Sequence, residues 1–537
     1  MNESLKISPL MRRNLVLLLF LSTVLRTFLA GLLEFGNDEV YYFTYALFPD
    51  LSYFDHPPMV AFIIRLFTFN LHFTQEFFVR LGAVAAGTLN TWLMFCIGRL
   101  MKDELTGWYS ALLYTASIYG FIIAGVFILP DAPQSVFWLF SLYLLLKALP
   151  DKDLSAESRK LILLASLTMG LAMLSKYTSA FLIIGTVAYI AIYNRKWLMA
   201  KEVYLAAIIV IFLFSPVLIW NSANHFISFG YQGGRAGIFS EGLNLLTFLT
   251  ELGGQFLYNN PVNVILIIWA VLKICRHRAK DEQPLSAILL LTALPLILTF
   301  LVISLFRPTL PHWTGMAYTT LIPLSALYLR QKYENRFRML NRYIFLSTGF
   351  LLVILIAGVF QIKTGWLNKD KEHSMITELG RNDPSLDMFG WHQLRDKMPM
   401  IVERDIRNGI MDPNAVFISF RWFPLSNIDY YIARPMHRKV FGIGKLKDLH
   451  FYAWINELRG GFKRNMDAYY ITSGRDYKDP LPLYCDYFQS IEPCDTIPVV
   501  RGGRVAMYFL IYRMHNLKKL PAVYPVKQIL TSIDVNR

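Results

Sequence analysis

The sequence predicts a polytopic α-helical membrane protein of about eleven spans, followed by a C-terminal extracytoplasmic α/β or α+β domain. Three observations carry that reading. Of 537 residues, 55% are hydrophobic and only 17% are charged, whereas a soluble chain usually carries about 25% charged residues. Long apolar runs recur through the first two-thirds, excluding soluble, fibrous and disordered classes. Beyond residue 362 the runs stop and charges become frequent, with 26 basic and 19 acidic residues.

Crossing the hydrocarbon core takes about 20 apolar residues. Qualifying or near-qualifying runs lie at 14–33, 81–98, 107–129, 132–149, 161–175, 178–193, 203–220, 261–275, 285–305, 312–329 and 343–362. The stretch 161–193 is too long for one span and short for two. Basic residues flank it on both sides (Lys152, Arg159, Lys160; Arg195, Lys196, Lys201). Because positive loops stay inside, both flanks belong to the cytoplasm, and a turn is expected at Ser175-Lys176-Tyr177 on the outer side. With that turn, 21 of the 27 Lys and Arg before residue 363 fall inside, five outside, and Arg26 within the first span. Arg26 is expected to snorkel outward or pair within the bundle. The N-terminus is then cytoplasmic, the C-terminal segment extracytoplasmic, and the protein a multi-pass resident of the cell inner membrane. Ten further spans follow the first, so it is more than a cleaved signal peptide.

The expected domains are a transmembrane catalytic module, 1–362, with outer loops at 34–80 and 221–260, and a soluble domain, 363–537. In the latter, Ala415–Phe420, Ala468–Thr472 and Val505–Tyr512 read as strands between turn-rich segments. Its two cysteines, Cys485 and Cys494, would permit a disulfide in an oxidising compartment. Cys96 and Cys275, near inner span ends, read as packed thiols.

Polar residues concentrate in the outer loops. The first carries Asp38-Glu39 just beyond the first span, then Tyr53-Phe54-Asp55-His56-Pro57-Pro58. Apolar residues around Tyr42 recur at helical spacing and predict an amphipathic helix lying along the interface. Later clusters hold Asp131, Lys176-Tyr177, His225, Arg235, and Arg307 with His312-Trp313. A loop charge or helix cap is the bland reading of Asp38, Glu39 and Asp131; Asp55-His56 reads equally as a rigid turn. Acids, imidazoles and separate cations on one membrane side suit another role: binding a phosphorylated lipid and taking a proton from an acceptor. Glycosyl transfer from a polyprenyl-phosphate sugar needs a carboxylate base and cations whose hold on the leaving phosphate tightens as charge develops. No ligand spacing demands a metal, although Asp38, Asp55 and His56 would be able to hold a divalent ion; no cofactor is required.

DEVYY, YFDHPP, LPDAP, SKYT and the Pro-His-Trp loop together resemble the bacterial family 39-like glycosyltransferases of the GT-C superfamily. That broad protein-mannosyltransferase-like group includes the lipid A aminoarabinose transferases. The resemblance implies an inverting transferase that takes a sugar from a polyprenyl-phosphate donor to a lipid, glycan or protein acceptor. It places the catalytic acids at Asp38 and Glu39. Donor phosphate contacts fall to His56, Lys176, Arg235 and Arg307, with His56 standing where relatives carry a Lys. Tyr42, Asp55, Asp131, Tyr177, His225, His312 and Trp313 would line the substrate pocket. Membrane lipids are expected partners; nucleic acid is not. The competing readings are an O-antigen-type ligase or polymerase with a pyrophosphate-linked donor, and a lipid or ion transporter. The transporter predicts charges within the spans and two matching halves; here the spans are mostly free of charge, and the polar groups gather on the outer side.

Overall fold

The computed structural model describes residues 7–237, 242–276, 283–334, 336–367 and 375–524. Part of the loop 221–260, at 238–241, therefore lies outside the described residues. The chain divides into two compact units. One comprises Met1–Gly31, His56–Ser222 and Phe226–Ile354; the other Leu32–Asp55, Ala223–His225 and Leu355–Arg537.

The first unit is helical. Each of the eleven apolar runs carries helix, and among the described residues five helices are long and apolar enough to cross a membrane: Pro9–Leu32, Glu76–Met101, Lys201–Ala223, Pro284–Ser304 and Arg338–Thr364. A sixth is counted if the pair Leu245–Tyr258 and Pro261–Arg276, bent by 100°, is one span. The bend has a local cause. Asn260 adopts φ 66°, and Pro261 opens the second helix without needing an amide partner. The Asn260 amide donates to Ala116 O at 2.9 Å and Ser347 O at 2.8 Å, fixing the corner inside the unit. Capping starts other helices where the sequence allows it. Asp103 accepts from Thr106 N, and Ser155 from Ser158 N.

The helix expected over 107–129 is interrupted: Glu104–Ala116 ends, and a single π turn, Tyr119–Ile123, follows. The predicted break at Ser175-Lys176 is present, with helix Ala156–Met173 before it and Ala180–Tyr193 after it. Arg26 does not snorkel. It is fully buried, its guanidinium 4.5 Å from the Phe121 ring centroid. Its nitrogens have no hydrogen-bond partner among the described residues. Cys275 is exposed on the last turn of its helix rather than packed, because that turn presents it to the surface; Cys96 is half-buried.

The second unit is built on a five-stranded sheet: β1 (Val416–Ser419), β2 (Val440–Gly442), β3 (Ala468–Ser473), β4 (Phe488–Arg501) and β5 (Arg504–Leu517). Its order is β2-β1-β3-β5-β4; β1 runs parallel to β2 and β3, and β5 antiparallel to β3 and β4. The parallel strands are buried on both faces, which is why they read as continuous apolar runs. Gly502 and Gly503, both with positive φ, close the β4–β5 hairpin. The disulfide permitted by the sequence is absent: Cys485 and Cys494 are free thiols. Cys485 is exposed after helix Pro480–Tyr484, while Cys494 points its thiol at the Asp405 carboxylate, 3.4 Å away. Burial, then the nearby Asp405 charge, pushes the Cys494 thiol up to about 12.

Candidate active-site residues

In the second unit, residues 32–55 fold with the C-terminal chain. Phe35 N donates to Tyr431 Oη at 2.8 Å, Trp391 N to Glu34 Oε2 at 2.9 Å, and Asn37 Nδ2 to Asp387 Oδ1 at 2.8 Å. These bonds set the start of helix Asn37–Leu47. Gly36 N donates to Glu39 Oε2 at 3.0 Å, so the buried Glu39 serves as the carboxyl half of a capping arrangement. Asp38, in the same first turn, is exposed. The helix macrodipole favours a carboxylate there.

The expectation of an amphipathic helix along the interface needs correction. The helix exists, but Glu39 to Ala46 are all buried. Tyrosines recur at Tyr41, Tyr42 and Tyr45 and pack against one another, Tyr45 edge-on to the other two, so that beyond the first turn no polar face is exposed. Their hydroxyls have a purpose. Tyr41 donates to Asp55 Oδ1 at 3.0 Å, Tyr45 donates to the same oxygen, and His450 Nδ1 stands 3.9 Å from Oδ2. Burial, reinforced by the Asp55 charge, pushes both tyrosine hydroxyls well up. They therefore remain proton donors to Asp55. Trp422 stacks on His450 at 5.5 Å and completes the enclosure. His225 is exposed in a turn with φ 55°.

The first unit gathers a second group. Lys176 Nζ donates to both oxygens of Asp131 at 2.8 Å, and both side chains are buried. Tyr119, on the π turn, donates to Asp131 Oδ1 at 2.8 Å. Asp131 opens helix Asp131–Ala148 yet accepts no capping bond, so its part is ionic. Gln134, one turn on, donates to Thr178 Oγ1 and Ser179 Oγ and locks the turn that carries Lys176. Met59 N donates to Leu174 O at 3.1 Å, which brings the His56-Pro57-Pro58 corner to the same turn.

His312 lies on the turn Pro311–Thr314, within electrostatic reach of Asp131, Lys176, His56 and Arg235. Close packing holds that turn: a Cβ on the next residue, Gly315, would stand 2.1 Å from the Tyr119 ring. The Arg235 guanidinium sits 4.5 Å from the Trp313 ring centroid, a cation–π contact. Arg307 donates to the carbonyl of Gly234, which directly precedes Arg235 in the chain. Tyr177 packs its ring toward Phe214 and Phe229.

Sequence reading missed Tyr41, Tyr45 and His450 around Asp55, and Tyr119 beside Asp131. It also missed Glu251, buried and accepting from Gln255 Nε2 at 2.7 Å and Thr309 Oγ1 at 2.8 Å. An isolated Glu in the apolar run LLTFLTELGGQFLY was the signal for that carboxylate, since an unpaired charge there is costly. Among the described residues, no three His, Cys, Asp or Glu side chains converge as a metal site.

The family model for dolichyl-phosphate-mannose-protein mannosyltransferase matches residues 55–220. A curated relative, the lipid A galacturonosyltransferase RgtD of Rhizobium johnstonii, is 25% identical over 300 residues. That alignment covers 55% of this chain and 61% of the relative, so the chain spans about three-fifths of that protein's length. Crystal structures of ArnT from Cupriavidus metallidurans superpose over 93% of this chain. The apo state has a TM-score of 0.59 at 13% identity over 98% of that chain. The form bound to undecaprenyl phosphate has 0.59 at 14% over 97%. The likeness establishes the fold.

Proposed function

We propose that the chain is a membrane glycosyltransferase of the GT-C kind, a reading supported by the family-model match over 55–220, the curated relative and the shared fold, and that it moves a sugar from a polyprenyl-phosphate donor to an acceptor at the outer face of the cytoplasmic membrane. The observation that carries the proposal is the division of labour between the two acids after the first span. Glu39 is buried and engaged in capping, whereas Asp38 is exposed on a helix start fixed by hydrogen bonds. An accessible carboxylate on a rigid element suits a general base.

In this reading Asp38 takes the proton of the acceptor hydroxyl. The acceptor oxygen bonds to the anomeric carbon, and the bond from that carbon to the phosphate oxygen breaks with its electron pair. Configuration inverts, and polyprenyl monophosphate departs. Lys176 and Arg235 stabilise the departing phosphate, with His56 and Arg307 as further contacts. Asp131 holds Lys176 until the donor arrives, and Arg stacked on Trp313 stays oriented for a bidentate phosphate contact. RgtD, by its name, acts on lipid A, which favours a lipid acceptor of similar chemistry here.

The test is transfer by Asp38→Asn, measured beside binding of the lipid-linked donor. Donor binding should persist while transfer falls by about 10²–10⁴-fold, the usual worth of a positioned base. An active Asp38→Asn enzyme would move the base elsewhere. Release of polyprenyl pyrophosphate instead of monophosphate would favour a ligase or polymerase.

A further inference from the structure

The second unit has a cleft that plays no part in the chemistry above. Its volume is about 390 Å³, and its lining includes Arg381, Arg421, Arg475, Lys478, Phe420 and Tyr477. Its place in the sheet is informative. From β1 the chain moves outward to β2, then returns past β1 to form β3 on the other side. Beyond the carboxyl ends of parallel strands, such a reversal leaves a crevice that open α/β sheets commonly use for ligands. Phe420 and Arg421 directly follow β1, and Arg475 to Lys478 follow β3, so the cleft occupies that crevice.

The walls are held from behind. Gly474 N donates to Tyr508 O at 2.7 Å, and a Cβ on Gly474 would stand 2.4 Å from Ile376 O. The turn 375–381, which carries Arg381, is thereby seated on the loop after β3. Tyr477 Oη shares a hydrogen bond with Tyr512 Oη at 3.2 Å, which fixes its ring.

Charge and aromatic surface together specify the ligand. Four cations face two carboxyls, Glu378 and Asp476. Arg475 is bound to Asp387, and Arg421 reaches Asp448 only at 3.9 Å with both side chains partly exposed. Arg381 and Lys478 are in no ion pair among the described residues. Arg and Lys converging on one opening suit phosphate oxygens. The volume falls within the usual range of small-ligand pockets, roughly 300–1,000 Å³. Ring faces at Phe420 and Tyr477 offer apolar surface for the C–H face of a pyranose.

We propose that this cleft binds a phosphorylated saccharide and thereby recruits the acceptor. Its role as acceptor site rests on the glycosyltransferase reading above; the binding itself does not. The probe is glucosamine 1-phosphate, titrated calorimetrically into the full chain in lipid nanodiscs, with glucosamine and inorganic phosphate as controls. The sugar phosphate should bind more tightly than either control. Arg381→Ala/Lys478→Ala should weaken it about tenfold or more, through the loss of two charged phosphate contacts. Both side chains are exposed, and an unchanged melting temperature would verify folding. Asp38→Asn should leave the affinity unchanged, which separates the cleft from the transfer site. Absence of binding, equal affinity for inorganic phosphate, or equal affinity in the double variant would overturn the proposal. Binding that persists in a protein shown to transfer no sugar would retain the cleft as a saccharide-phosphate site and remove its acceptor role. Displacement of the probe by a lipid-anchored, phosphorylated glucosamine disaccharide would assign the lipid-borne source; binding of the probe without such displacement would assign a soluble sugar phosphate.

Discussion

At the scale of single residues, Lys176 is the side chain whose structural setting most changes what a variant should do. It is a buried cation matched by one buried carboxylate. Lys176→Gln would leave Asp131 charged and unpaired, at a cost of about 3–5 kcal/mol. The double variant Lys176→Gln/Asp131→Asn removes both charges and should recover most of that stability. Transfer should stay about 10²–10³-fold down in both if the cation acts on the leaving phosphate. Thermal unfolding beside transfer rate makes the distinction, and recovered activity in the double variant would show Lys176 to be structural. Polar residues such as these were legible because charges stand out against apolar spans. Their pairing was not: 45 positions separate Asp131 from Lys176, and no periodicity spans that distance. Tyr119 was hidden for a different reason, since its reach depends on a π turn within an apolar run.

Among the elements, helix Asn37–Leu47 offers the sharpest test, because its two acids have separable duties. Glu39→Ala removes the acceptor of the Gly36 amide and should cost about 1 kcal/mol, as the loss of a capping residue does. Glu39→Gln keeps a carbonyl oxygen for that bond, so it should stay folded and retain transfer. Loss of transfer in Glu39→Gln at unchanged stability would assign chemistry to Glu39 after all. The existence of this helix could be read from its apolar spacing; its burial could not. Tyrosine counts as half-polar on any pattern, and here the tyrosine hydroxyls turn inward to Asp55. Strands β1, β3 and β5 were likewise visible as β-branched and aromatic runs. The three-residue β2 was too short to give a pattern.

For the molecule as a whole, acid should act on the sheet-bearing unit through two paired carboxylates. Burial alone would raise the Asp405 carboxyl, but Arg513 bonds both its oxygens, at 2.7 and 2.8 Å, and holds it below the ordinary range. Asp383 is lowered in the same way, burial being outweighed by Ser385 and Arg501. A carboxyl depressed in the folded state contributes stability that is complete above its unfolded value of about 3.9 and is lost as pH falls through the folded value. The melting temperature of this unit should therefore hold from neutrality to about pH 4 and drop below it. Asp405→Asn should lower the stability of this unit by about 1.5–3 kcal/mol near neutrality and flatten the acid limb. A melting temperature indifferent to acid would contradict the pairing.

The grouping of Leu32–Asp55 with Leu355–Arg537 has a consequence for the ribosome. The segment bearing Asp38 leaves the exit tunnel early, but the strands and helices it folds with are translated some 300 residues later. At about 5–20 residues per second, it must wait roughly 15–60 s without the chain it folds with, its tyrosines open to proteases and chaperones. A nascent chain stalled before residue 363 should be cut readily by protease within 34–55, and the full-length chain should resist. Equal resistance in both would mean that the segment finds its conformation without the late partner.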